Sequence, residues 1–366
     1  MHRIIKISVK WGLPLLLIGL ILGFRYHPVW AEAYARHIYP AVAGILSAFS
    51  SLFPFSVGDV FIVGACGWLF IYPFYAWWKK KGFRHAVGKV VRVVMWIYVW
   101  FYFAWGLHYF RPSFYVRTGM EQTAFSESEF GDFLKDYIAK LRGSYEAVRD
   151  SIADDSLLRP LAGTDDGARL LTAAIVNEGY REIAAQFALV YPRDDLYPKT
   201  MLWSRFMSAV GVSGYMGPFF SEFNLNGHLL RVEYPFTFAH ELAHRLGVAS
   251  EAEANLYAFL VTAKAREPWV RFSGYFSMLG YVMQNARRLL DETSYREYLN
   301  CMPPEVLEIY KQRLTYWREK YKPVAGKVQH KMYNAYLKNN KIGEGTKNYS
   351  EVVGLWMTLR KYKPDL

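Results

Sequence analysis

The sequence predicts a mainly α chain with a small β element: a membrane anchor of three transmembrane helices over residues 1–110, then an extracytoplasmic, mostly helical domain over residues 111–366. Three observations predict it. Long apolar segments recur in the first third of the chain, helically spaced apolar residues dominate the rest, and a glycine-rich aromatic pattern is confined to residues 212–232.

The anchor follows from hydropathy. A chain of 366 residues with 18% aromatics and a mean hydropathy of zero is too apolar for an ordinary soluble domain, and long enough for a membrane part plus one sizeable core. Ile4–Phe24, Gly58–Trp78 and Val90–Phe110 supply the excess, the latter two close to the roughly 20 residues that cross a bilayer. Trp77, Trp78, Trp96, Trp100 and Trp105 fall toward segment ends or lipid faces, as interfacial belts do. The first segment also suits a cleaved signal peptide, with Ala31-Glu32-Ala33 or Ala33-Tyr34-Ala35 as the cleavage site. Between the first two segments, Ile38–Phe53 is apolar and bracketed by Pro40 and Pro54. It reads as a short helix along the outer interface or as a lid on the outer domain.

The net charge of +12 would suggest nucleic acid, but its location argues otherwise. Residues 1–110 carry +9 of it, which leaves +3 for the other 256 residues. Arg3, Lys6 and Lys10 precede the first segment, and Lys79, Lys80, Lys81, Arg84, Lys89 and Arg92 lie between the second and third. The intervening loop has only Arg25 and Arg36. The positive-inside rule then places the N-terminus and the 79–92 loop in the cytoplasm of a bacterial inner membrane, and residues beyond Phe110 outside. The expected partners are the lipid bilayer and a peptide or protein substrate, with no nucleic acid.

In the outer domain, apolar periodicity predicts helices over Phe130–Val148, Ala168–Val190, Trp269–Leu289 and Val306–Tyr321, and a further one from Ser250 to about Ala265. Strands are expected between Val212 and Val232, with Asn226-Gly227 as a turn signal. Such a strand either offers its edge to an extended peptide or is scaffold.

The segment that carries chemistry is His240-Glu241-Leu242-Ala243-His244. Histidines four apart share a helical face and can ligate one zinc ion. Glu241, one residue round, is placed as general base toward a water activated by the metal. Leu242, Ala243 and Leu246 give the helix a packed face, and Gly247 supplies its stop. A catalytic zinc needs a third protein ligand, and Ser250-Glu251-Ala252-Glu253-Ala254-Asn255 offers two. Ser250 and Glu253 have capping-box spacing, which gives Glu253 a structural task. Glu251 is therefore the preferred ligand, with Glu253 the alternative and Asn255, on the Glu251 face, a candidate to hydrogen-bond a ligand. Both glutamates would also suit a helix N-terminus without any metal.

Together with Gly214-Tyr215-Met216-Gly217-Pro218-Phe219, Glu222-Phe223-Asn224-Leu225-Asn226, Pro235-Phe236 and the E-x-E-A-N run, this segment resembles an uncharacterised bacterial family of membrane-anchored zincin-like proteins, a domain of unknown function. Trp105-Gly106-Leu107-His108-Tyr109-Phe110-Arg111-Pro112 resembles that family's junction between membrane and outer regions, although the family usually has asparagine at His108. The resemblance covers most of the chain. It implies a gluzincin-like zinc metallopeptidase, with His240, His244 and a glutamate of the E-x-E-A-N run holding Zn2+ and Glu241 as catalytic base.

His228, Tyr234, Tyr257 and Tyr275 are candidate donors to a developing oxyanion; His330 reads as a surface histidine. Cys66 and Cys301 fall in different regions, which argues against a disulfide between them. Two functions are consistent with these residues: a membrane-bound metallopeptidase acting outside the cytoplasmic membrane, and a zinc-stabilised binding or sensing protein without turnover. Metal retention alone does not require Glu241, so its presence favours the first.

Overall fold

In the computed structural model, which describes residues 2–150, 154–161, 165–193, 197–340 and 351–364, the chain divides into two units, Met1–Pro112 with Gly217–Glu222, and Ser113–Met216 with Phe223–Leu366. The first contains α1 (His2–Tyr26), α2 (Pro28–His37), α3 (Tyr39–Ser50), α4 (Val57–Trp78), α5 (Phe83–Ala104) and a 3₁₀ turn, Gly106–Phe110. The second contains α6 (Phe114–Thr118), α7 (Glu127–Arg149), α8 (Asp154–Leu157), α9 (Asp166–Phe187), β1 (Lys199–Thr200), α10 (Ser204–Ala209), and β2 (Gly214–Gly217) and β3 (Glu222–Leu225) except for their end residues Gly217 and Glu222. It continues through α11 (Tyr234–Arg245), α12 (Glu251–Ala263), α13 (Pro268–Leu289), α14 (Glu292–Cys301), α15 (Pro304–Lys320), α16 (Pro323–Asn339) and α17 (Val352–Tyr362).

Two helices, α4 and α5, are long and apolar enough to cross a membrane, and Lys10–Tyr26 with α2 makes a third candidate bent by 108°. The bend falls at Pro28, which starts α2 in the position where a proline's missing N–H costs nothing. The third apolar segment differs from expectation. Its helix runs Phe83–Ala104 rather than Val90–Phe110, so Arg84, Lys89 and Arg92 lie in its first turns and the loop shrinks to residues 79–82. Long basic side chains permit this because their stems tolerate apolar surroundings while their heads reach water. The Ile38–Phe53 segment is helical as α3, which packs against α2 and α5.

Residues Gly217–Glu222 join the first unit from far along the chain. Phe220 packs against Phe49, Phe61 and Trp100, while Phe219 packs against Phe61 and Phe101. Buried Glu222 accepts hydrogen bonds from the Gly58 amide at 2.5 Å, Ser56 Oγ at 3.0 Å and the Val57 amide at 3.3 Å. A carboxylate there satisfies orphan N–H groups at the start of α4 and complements the helix dipole.

In the second unit α12 is the centre, with α9, α11, α13 and α17 packed around it. Every residue from Glu251 to Thr262 is buried, as befits a helix without a solvent face. The sheet has order β1-β3-β2, with β1 parallel to β3 and Lys199 opposite Asn224. β2 is therefore an edge. Asn226-Gly227 forms the turn its composition predicts, closed by the Leu229 N–H to the Asn226 carbonyl, but it is not a loop between two strands. It follows β3, where Asn226 Nδ2 donates to the Val212 and Ser204 carbonyls and ties the sheet to α10; the chain reverses instead through residues 218–221. The strand β1 and the helices α14, α16 and α17 carry no signal that sequence reading picked out.

Candidate metal centre

Local sequence explains how α11 presents its histidines. Pro235 opens the helix, and the carboxylate of Glu233 just before it is clamped by Arg313 Nε at 2.5 Å and by Trp317 Nε1 at 2.9 Å. At the other end Gly247 adopts φ 97°, a conformation that favours glycine. Its N–H bonds the His244 carbonyl, and the Val248 N–H bonds the Ala243 carbonyl. This pair of bonds is the Schellman turn. It aims the Val248 carbonyl back at His244, whose Nδ1 lies 2.7 Å away. Nδ1–H donates to that carbonyl, so Nε2 is the nitrogen left for a metal once its proton is released.

Within three residues of Val248 the chain enters α12, where Ser250 Oγ accepts from the Glu253 amide at 3.3 Å. Glu251 Oε2 then lies 3.1 Å from His240 Nε2 and 3.4 Å from His244 Nε2, and the two Nε2 atoms are 3.1 Å apart. Among the described residues these three form a group whose ligand atoms all converge. A tetrahedral ion with bonds of about 2.0–2.1 Å holds its ligands roughly 3.3 Å apart, so the triangle has the size of one face of a zinc site. The donor set fits as well. Buried Glu251 Oε2 has no well-formed hydrogen bond, and two imidazole nitrogens aimed at each other are stabilised by a shared cation.

Glu241, Glu253 and Asn255 complete the set of sequence candidates. Glu241 is buried, and burial pushes its carboxyl pKa up, partly offset by His240 and His244. Its carboxylate lies against Gly214 of β2. Glu253 is not part of the converging group. It forms a buried ion pair with Arg117 and accepts from Tyr257 at 3.4 Å. Asn255 is buried beside the Tyr281 hydroxyl, and its amide nitrogen has no well-formed hydrogen bond.

The four candidate oxyanion donors have contacts of their own, which for Tyr275 involve the backbone and not the hydroxyl. His228 Nδ1 is 2.9 Å from Ser208 Oγ, the Tyr234 hydroxyl meets Arg169, Tyr257 meets Glu253, and the Tyr275 carbonyl accepts from Tyr137. His330 is exposed, and both cysteines are free. Two neighbours of the site lie outside every motif of the sequence. Tyr333 donates to Glu251 Oε1 at 2.6 Å, and Tyr281 has its pKa pushed up to about 12 by burial and then by the charge of Glu251. Tyr281 lies on α13, whose inward-facing pattern was legible, whereas Tyr333 lies far downstream with no motif around it.

Residues 34–357 match the family described as protein of unknown function (DUF3810), and the chain belongs to that family. No curated protein matches it, and no solved structure does.

Proposed function

We propose that the protein is a membrane-bound, zinc-dependent peptidase of gluzincin-like type that acts outside the cytoplasmic membrane. The observation that carries this reading is the convergence of His240 Nε2, His244 Nε2 and Glu251 Oε2, next to a buried Glu241, on the scale of a zinc site. Zinc, when bound, supplies a Lewis acid that activates water at neutral pH. Val248 holds His244 in the tautomer that leaves Nε2 to the ion. Glu241 accepts the proton of the attacking water and returns it to the leaving amine; its raised pKa brings it toward the range where both transfers run at neutral pH. The edge strand β2 offers backbone groups to an extended peptide. The outward placement rests on the basic residues that flank the apolar segments.

The test separates an enzyme from a zinc-stabilised binding protein without a known substrate. Glu241→Gln keeps size and hydrogen bonding but removes the base, so zinc content should persist while turnover falls on the order of a hundredfold or more. His240→Ala should lose both. The readout is accumulation of uncleaved envelope proteins in a deletion strain complemented with each variant, beside metal analysis of the purified proteins. Full complementation by Glu241→Gln with failure of His240→Ala would replace the peptidase reading with the structural one.

A further inference from the structure

The outer and inner faces of α16 differ in a way that bears on the metal centre. Val324, Val328 and Met332 are exposed, while Gly326, Leu337 and Asn340 are buried at the spacing of the opposite face. Tyr333 belongs to that inner face. Its hydroxyl reaches a carboxylate 82 positions earlier in the chain, Glu251, and donates to Oε1 at 2.6 Å. The other oxygen, Oε2, faces the two histidines.

We propose that Tyr333 is a positioning residue for Glu251: by occupying Oε1 it fixes the rotation of the carboxylate, so that Oε2 alone is offered to a metal ion. This rests on the zinc reading above. The physical case is that Glu251 is buried, so water cannot serve its second oxygen. A carboxylate with two equivalent free oxygens in an apolar site would turn between them, and each turn would move the ligand atom. A neutral phenol donor removes that freedom and adds no charge that would repel the cation. Outer hydrogen bonds of this kind are typically worth 10–100-fold in metal affinity.

The probe is cobalt(II) added to the metal-depleted full-length protein in detergent, read by competition with a chromophoric chelator and by visible absorption, which reports coordination number. Tyr333→Phe should weaken binding by about 10–100-fold and lower the absorption intensity, because the released Oε1 can join the coordination shell. Tyr336→Phe is the control for helix packing, since Tyr336 stacks on Tyr333 with centroids 6.1 Å apart and should leave both readouts unchanged. Identical affinity and spectrum for wild type and Tyr333→Phe would overturn the proposal. So would equal loss in Tyr333→Phe and Tyr336→Phe, which would make the effect one of helix packing. Failure of the wild type itself to bind cobalt would instead remove the zinc reading on which the proposal stands.

Discussion

Gly214 on β2 lies so close to Glu241 on α11 that a β-carbon at position 214 would come within 2.5 Å of Oε1 and 2.6 Å of Cγ. The strand therefore forms a wall for the carboxylate, and only glycine leaves room for it. A buried carboxylate held from one side by backbone has a defined position relative to the histidines on its own helix.

Gly214→Ala should consequently displace Glu241 while leaving His240, His244 and Glu251 in place. Misplacing a reacting group by about an ångström can cost on the order of a hundredfold in rate. Zinc content at the wild-type level with turnover reduced to that degree is the expected result. Metal analysis and the complementation assay check it, and undiminished turnover would show that the contact has no bearing on catalysis.

The two glutamates of α12 should separate cleanly. Glu251→Ala is expected to lose zinc. Glu253→Ala should retain it but destabilise the fold by about 3–5 kcal/mol, because it strips Arg117 of the carboxylate it pairs with in a buried site. That is more than the roughly 1 kcal/mol a lost cap would cost, so the sequence-level view of Glu253 as a capping residue understates it. Chemical denaturation and metal content, measured on both variants, decide the matter; zinc loss in Glu253→Ala alone would exchange the two assignments.

The difference between the glutamates also shows which features the sequence makes legible. Local relations were readable: the i, i+4 histidines, the Gly247 stop and the Ser250 cap are short-range consequences of helix geometry, and α7, α9, α11, α12, α13 and α15 follow from apolar periodicity. Relations across the chain were not. Arg117 approaches Glu253 from 136 positions away and Tyr333 approaches Glu251 from 82, and neither residue carries a pattern that names its partner. Charge does not mark the boundary of the third apolar segment: α5 carries Arg84, Lys89 and Arg92 within it.

Orientation is open to a direct check. Basic residues cluster before the first apolar segment and around the 79–92 stretch, so a reporter fused after Leu366 should be active only in its exported form. Alkaline phosphatase fusions should score positive and green fluorescent protein fusions dark in intact cells. The opposite pattern would place the metal centre in the cytoplasm and remove envelope proteins as substrates.

Metal uptake should depend on pH in a direction set by His244. Burial is the largest influence on this imidazole and works against its charge. The Glu251 carboxylate, Glu241 and the Val248 carbonyl outweigh it and raise the pKa from 6.5 to about 9 in the metal-free protein. With Nδ1–H committed to Val248, the proton that titrates is the one on Nε2, the atom that faces Glu251. Ion and proton therefore compete for one nitrogen, and binding must release the proton whenever the pH is below that raised value. Affinity should climb by about tenfold per pH unit across the neutral range and flatten only as the pH passes about 9, whereas an unperturbed histidine would flatten above roughly 6.5. Cobalt titrations of the metal-depleted full-length protein at several pH values, in a weakly coordinating buffer, measure this slope. An affinity that is already level at pH 7 would show that His244 is not held protonated by its neighbours.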